Sequence, residues 1–255
     1  MIRAIDHIVI LVEELEAAIR DYESLGFTVV PGGEHADGAS HNALVAFADG
    51  SYLELIAFRR EAPAHRWWRH TAVGEGLIDF ALLPGAIEED LAAARARGLV
   101  LSGPFAGGRE RPDGVRLEWQ TAFAEQPELP FLCGDVTPRE LRVPSGPATH
   151  HHNGVTGIFR VTVAVRDLEA SAARYAALLG HSPLIEPGRR LFKLGSSYIA
   201  LQEPDPELPE WAALEARLEQ RGEGIAALAL RRDYLVPVPR PFDAELTHGA
   251  RITVS

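Results

Sequence analysis

The feature that most constrains this chain is that it repeats itself. "IDHIVILVEELEAAIRDYESLGFTVV", from residue 5, and "IFRVTVAVRDLEASAARYAALLGHSPLI", from residue 158, lie over one another with Val12 on Val165, Leu15 on Leu168, Glu16 on Glu169, Ala17 on Ala170 and Tyr22 on Tyr175. In the first copy Leu15, Ala18, Ile19, Tyr22 and Leu25 recur at one face of a 3.6-residue period, which predicts an amphipathic helix that Gly26 ends. Three strand-like runs follow, "FTVV", "NALVAFA" and "YLELIAF", separated by the turn signals "PGG" and "DGS". The repeated unit is therefore β-α-β-β-β. A further copy runs over residues 76–133 through "GLIDFALL", "EEDLAAARARGL", "VLSGPF", "GVRLEWQTA" and "PFLC". The last copy is truncated: "GIAALALRR" supplies a strand, but the Pro-rich "LVPVPRPF" leaves no room for a helix before "ARITVS".

The Pro/Gly-containing segment "PSGPATHHHNGVTG" separates two pairs of units. It predicts an α+β chain of two domains, residues 1–145 (units 1–75 and 76–145) and 155–255. A net charge of −11, with no basic stripe to offset it, argues against nucleic acid as a partner. No apolar run approaches the ~20 residues that span a bilayer, and Cys133 is the sole cysteine, so a cytoplasmic chain without membrane or disulfide is expected.

Two polar residues interrupt runs that otherwise read as buried strands. Side chains alternate across a strand, so if Ile8, Ile10 and Val12 face the helix, His7 faces the other way; Glu54 is likewise opposite Leu53 and Leu55. Both then project into one concavity. An unpaired carboxylate there costs several kcal/mol, so Glu54 needs a cation, a hydrogen-bonding partner or water.

Tandem β-α-β-β-β units with His on the first strand and Glu on the last resemble the vicinal oxygen chelate superfamily of glyoxalases, extradiol dioxygenases and bleomycin resistance proteins. "IDHIVILV", "PGGEHADGASHNALVAFADGSYLELIAF", "GRERPDGVRLEWQ", "LPFL" and "HHNG" look closer still to its glyoxalase-like branch. The resemblance implies a cavity enclosed by two units, with metal ligands on the first and last strands of each. His7 and Glu54 match in the first unit; Phe80 and the region of Leu132 stand at the matching places in the second, and Arg160 and Ala200 in the third.

Two readings of the His7/Glu54 pair stand side by side. Either Glu54 hydrogen-bonds His7 in a wet, metal-free pocket, or both bind one divalent ion (Zn, Fe, Mn or Ni), which requires a further ligand. His41 is nearest in the chain; His35 and the tract His150, His151 and His152 are the alternatives, with His151 taken from the tract. Glu54 and His41 are the candidates for proton transfer. Arg109 and Arg111 flank the "PDG" turn and form a candidate anion clamp, with Asp113, Asn42 and Trp119 completing the expected substrate contacts. "HRWWRH", residues 65–70, is a flap over the cleft or a contact with a second copy of the chain, and Cys133 reads as a small buried hydrophobe. Nucleophile elbow, phosphate loop and CxxC pair are all missing.

The expected function is binding of a small carboxylated or oxygen-rich metabolite, with the chemistry of a metal-dependent lyase or isomerase implied by the resemblance. The alternatives are metal-free sequestration in the manner of bleomycin resistance proteins, and extradiol-type dioxygenation.

Overall fold

The computed structural model describes residues 1–111, 113–207, 210–233 and 239–254. The first unit comprises β1 (Ala4–Leu11), α1 (Leu15–Ser24), β2 (Val30–His35), β3 (Ser40–Ala46) and β4 (Tyr52–Phe58). The second comprises β5 (Gly76–Leu83), α2 (Ile87–Ala96), β6 (Leu101–Glu110), β7 (Arg116–Ala124) and β8 (Phe131–Asp135), followed by the short α3 (Arg139–Arg142). Their eight strands close into a barrel in the order β1-β4-β3-β2-β6-β7-β8-β5.

The third unit is β9 (Val155–Ala164), α4 (Leu168–Leu179), β10 (Leu184–Glu186), β11 (Arg189–Leu194) and β12 (Ser197–Gln202). After it come α5 (Trp211–Arg221), β13 (Gly224–Arg232), β14 (Arg240–Pro241) and β15 (Ile252–Val254). These strands form an open sheet, β10-β11-β12-β9-β13-β15-β14. The chain is thus of α+β type, built from tandem βαβββ units with the last one incomplete. No helix occurs between β13 and β15 among the described residues, although part of the "LVPVPRPF" stretch, residues 235–238, lies outside them. Helix α5 was not legible as a unit element: its Leu214 and Leu218 pack on Ala164 and Ala226, covering the sheet face that lines the cavity in the barrel.

The helix-facing residues of both halves share one core. Ile8, Ile10, Leu53 and Leu55 of the barrel join Val161, Val163, Ile199 and Leu201 of the open sheet. Each fully buried aliphatic side chain there contributes about 1.5–3 kcal/mol. The paired helix tyrosines have reciprocal tasks. Tyr22 of α1 donates its hydroxyl to Thr247 O in the second half at 3.3 Å, and Tyr175 of α4 donates to Glu128 O in the first at 2.6 Å. The repeat thus reaches beyond a common fold to a common way of joining the halves.

Helix α1 ends as its glycine predicts. Gly26 has φ +86°, its N–H bonds Glu23 O, and Phe27 N–H reaches back to Tyr22 O, a Schellman cap that α2 reproduces at Gly98 and Leu99. The prediction at "FTVV" and "PGG" is shifted by the structure. Strand β2 starts only at Val30 and runs through the glycines as a bulged strand, its register slipping between Pro31 and Gly33. A Cβ at Gly32 would collide with Asn42 Oδ1 and Arg109 Nη1, so this glycine gives room to a polar bridge inside the barrel. The extension carries His35 to the barrel seam, where it pairs with Arg109 of β6.

Candidate active site

The barrel encloses a cavity of about 290 Å³, polar on the β1-β4-β3 side and aromatic opposite, where Trp119, Phe123 and Phe131 line it. Its floor is set by a bulge in β1: the register against β5 slips between Ile5 and His7, so two residues oppose one. Asp6 and His7 can therefore both turn inward although they are consecutive. Asp6 is fully buried and accepts from His7 Nδ1 at 2.7 Å, from Arg142 Nη1 at 2.8 Å and from Arg139 Nη1 at 2.6 Å. Burial pushes its carboxyl upward, but Arg142, His7 and Arg139 outweigh that and hold it far below the usual carboxylate range. The His7 ring stacks on Tyr52 at 4.7 Å and meets the edge of Phe131 at 5.4 Å, which leaves Nε2 pointing at Glu54 Oε2, 3.4 Å away.

Glu54 is the centre of the polar wall. Its Oε1 accepts from Asn42 Nδ2 at 2.6 Å and faces His35 Nε2 at 3.4 Å. Burial raises the carboxyl, and the His35 contact, the charges of His7 and His35 and the Asn42 amide more than reverse this, bringing it down to about 2. Asn42 is held in turn by Arg109 Nη1 on its Oδ1 at 3.2 Å, while Arg109 Nη2 donates to Arg142 O at 3.1 Å.

Several expected site residues lie elsewhere. On β3 it is Asn42 and Leu44 that line the cavity, so alternation turns His41 to the opposite face, toward the charges of Arg59, Glu16 and Glu34. His35 takes the place expected of it. His151 is also absent from the cavity: its Nδ1 accepts from Thr28 N–H at 2.9 Å and its Nε2 donates to Ala46 O at 3.0 Å, so both ring nitrogens are spent on a clasp between loops. Arg109 lines the cavity and Arg111 does not; Arg111 donates to Asp113 at 2.7 Å and to Leu141 O at 3.3 Å, outside the barrel. Pro112 of the expected "PDG" turn lies outside the described residues. Trp119 walls the cavity edge-on to His35.

In the second unit the residues facing the cavity side are not those the alignment picked. Phe80 and Leu132 belong to the helix-side core, whereas Phe131 and Cys133 line the cavity and Asp79 is buried against Trp67 Nε1–H and Arg66, both at 2.9 Å. Asp6 and Asp79 occupy matching places in "IDH" and "IDF", and each meets arginine. That matched pair of acids within apolar runs was the available signal for Asp6. Nothing in the repeat pointed to Arg139 and Arg142, which come from α3 after the last strand. His65, Arg66 and Trp67 of "HRWWRH" lie over the cleft and line it.

Among the described residues, the ligand atoms of Asp6, His7 and Cys133 lie within 4.8 Å of one another, a candidate metal cluster. Its chemistry fits a divalent ion poorly. Both Asp6 oxygens are held by guanidiniums, the ion would sit against those cations, and burial pushes the Cys133 thiol up to about 12. Around Glu54 the two imidazoles approach different oxygens, rather than converging on one point with it. Three of the acids already have guanidinium partners: Asp6 and Asp135 meet Arg139 and Arg142, and Asp79 meets Arg66, while Glu54 accepts from Asn42 and faces His7 and His35. The Asp6, His7 and Cys133 set, its carboxylate already held by guanidiniums, is therefore a poor match for a divalent ion.

A sequence model of the glyoxalase-like domain matches residues 5–179. The chain belongs to the glyoxalase-like family. This glyoxalase-like chain matches no curated protein sequence. Among solved structures it is similar to a hypothetical protein from Staphylococcus aureus, at 13% identity and TM-score 0.75 over 98% of each chain. It is also similar to a mutant of 4-hydroxymandelate synthase from Streptomyces coelicolor, at 16% identity and TM-score 0.59, over 92% of this chain and 72% of that one. A fusion of a xylose isomerase-like TIM barrel with 4-hydroxyphenylpyruvate dioxygenase matches at 16% identity and TM-score 0.56, over 92% of this chain and 37% of that one. These likenesses show the vicinal oxygen chelate fold, which hosts more than one chemistry. No helix among the described residues is long and apolar enough to cross a membrane.

Proposed function

We propose that this glyoxalase-like protein binds a small oxygen-rich metabolite in the barrel cavity and moves a proton on it, as an isomerase or lyase. The observation that carries this reading is His7, whose two ring nitrogens each face a buried carboxylate beside the cavity. Asp6 fixes the ring through Nδ1–H and leaves Nε2 to take a proton from carbon next to a ligand carbonyl. The imidazolium that forms then lies between Asp6 and Glu54, which stabilise it. Glu54, held ionised down to about 2, is a poor proton carrier near neutrality, so its task is electrostatic. Arg109 supplies positive charge at the cavity wall for an oxygen that gains negative charge.

The test is hydrogen exchange in D₂O against a panel of small hydroxy and keto acids, read by proton NMR at the carbon beside the carbonyl. Exchange above the buffer rate for at least one compound is expected, falling about 10²- to 10⁴-fold in His7→Gln. A panel that binds but never exchanges would overturn the reading in favour of sequestration.

A further inference from the structure

Three guanidiniums line this cavity, those of Arg66, Arg109 and Arg142, with Arg139 bound to Asp6 behind it, and they differ in what remains for a ligand. Arg142 spends Nε on Asp135 and its two terminal nitrogens on Asp6 and Tyr52 Oη; Arg139 is bound to Asp6, Asp135 and Gly50 O. Arg109 has one terminal nitrogen on Asn42 and the other on Arg142 O. Arg66 is unlike them. Among the described residues its one acceptor is Asp79, at 2.9 Å, so most of a guanidinium's five donors have no protein partner there.

The surroundings of Arg66 are equally specific. Its guanidinium carbon lies 4.0 Å from the Phe123 ring centre and 5.4 Å from that of Phe131, within cation–π range of both. Contacts of this kind hold the guanidinium against the aromatic wall, and Arg66, about a third exposed, lines the cavity beside them. Trp119 stands on the same cavity lining. The segment that carries Arg66 lies between β4 and β5, outside the repeated strands and helices, so it is free to set specificity without disturbing the barrel.

We infer that Arg66 is the docking cation of this cavity and that the ligand it selects is a planar, one-ring carboxylate. The inference rests on the barrel cavity being the ligand site, as proposed above. A carboxylate matches the unpartnered donors of the guanidinium in two parallel hydrogen bonds. A flat ring attached to it lies against Phe131 and Trp119, and an oxygen on its far side reaches toward His7 and Glu54. At about 290 Å³ the cavity is at the small end of the range for ligand pockets, which suits one ring and not two. The expected anion clamp at Arg109 and Arg111 is thereby replaced by a residue from the covering segment.

The experiment measures calorimetric affinities of the full chain for benzoate, cyclohexanecarboxylate and phenol. Benzoate is expected to bind tightest. Arg66→Gln should weaken benzoate about 10- to 100-fold and leave phenol unchanged, with Arg66→Lys intermediate and Arg111→Gln without effect. The double variant Arg66→Gln/Asp79→Asn removes the pair without stranding a buried charge, and should show the same selective loss. Unchanged benzoate affinity in this folded double variant would overturn the assignment of Arg66, and equal affinity for cyclohexanecarboxylate would overturn the planar ring. If phenol binds and benzoate gains nothing over it, the docking inference fails while the cavity stands as the ligand site. If no probe binds, the reading of the cavity fails and the inference falls with it.

Discussion

Replacing Asp6 by asparagine keeps the shape of the side chain and removes the charge on which the cavity floor depends. In the native protein this fully buried carboxylate receives hydrogen bonds from His7, Arg139 and Arg142. Asparagine has one acceptor oxygen; its amide nitrogen would face one of these donors, and the buried Arg142 would keep only Asp135 as its anion. Breaking a buried ion pair from one side costs about 3–5 kcal/mol. At about 2–4 °C per kcal/mol for a chain of this size, Asp6→Asn should melt roughly 6–20 °C lower. The pH dependence has a definite sign. The folded carboxyl is held well below its ordinary 3.8, so its contribution is fully present above about pH 4 and is lost as pH falls toward the folded value. Urea unfolding followed by circular dichroism should show the full gap between wild type and variant at pH 7, narrowing below pH 4. Asp6→Asn/Arg142→Met should recover part of the loss, because no buried charge is then left alone. A gap below about 1 kcal/mol at pH 7, or one that widens on acidification, would refute the reasoning.

The same logic applies to Glu54, lowered from 4.5 to about 2: wild type should lose roughly 3 kcal/mol relative to Glu54→Gln between those two pH values, and a pH-independent difference in urea titrations would contradict this. His151→Leu leaves Thr28 N–H and Ala46 O without partners and should cost about 2–4 kcal/mol, measured by the same unfolding assay. His41→Ala should shift stability by no more than about 0.5 kcal/mol and leave deuterium exchange unaltered, since His41 points away from the cavity. Cys133 lines the cavity but has its thiol pushed up to about 12 by burial, so it should react with iodoacetamide at pH 8 far more slowly than a free thiol, and labelling at the free-thiol rate would contradict this. Elemental analysis after incubation with divalent metals should find well below one ion per chain, and a full equivalent that disappears in His7→Ala would overturn the charge argument.

What could be read along the chain was what obeys a local period. Alternation placed Ile8 and Ile10 with Leu53 and Leu55 on one face, and the structure has all four in the shared core with His7 and Glu54 on the cavity side. The same rule applied to β3 would have excluded His41. His35 was obscured because "PGG" looks like a turn, whereas the glycines serve a bulged strand that must pass close to Asn42 and Arg109. Arg111, beside Arg109, was sequence-equivalent as a clamp, yet β6 ends at Glu110 and Arg111 turns to Asp113.

The repeat by itself determined the β-α-β-β-β unit, the truncation of its last copy and the polar pair inside the first, because strand alternation, helical period and glycine caps are all encoded by near neighbours. Only the tertiary structure decided which charges complete the cavity. The bulge that turns Asp6 inward, the return of α3 that brings Arg139 and Arg142 beneath it, and the segment that lays Arg66 on Phe123 join residues as many as 136 positions apart. A buried carboxylate must find its partners wherever the closed barrel brings them, and no local pattern records that requirement.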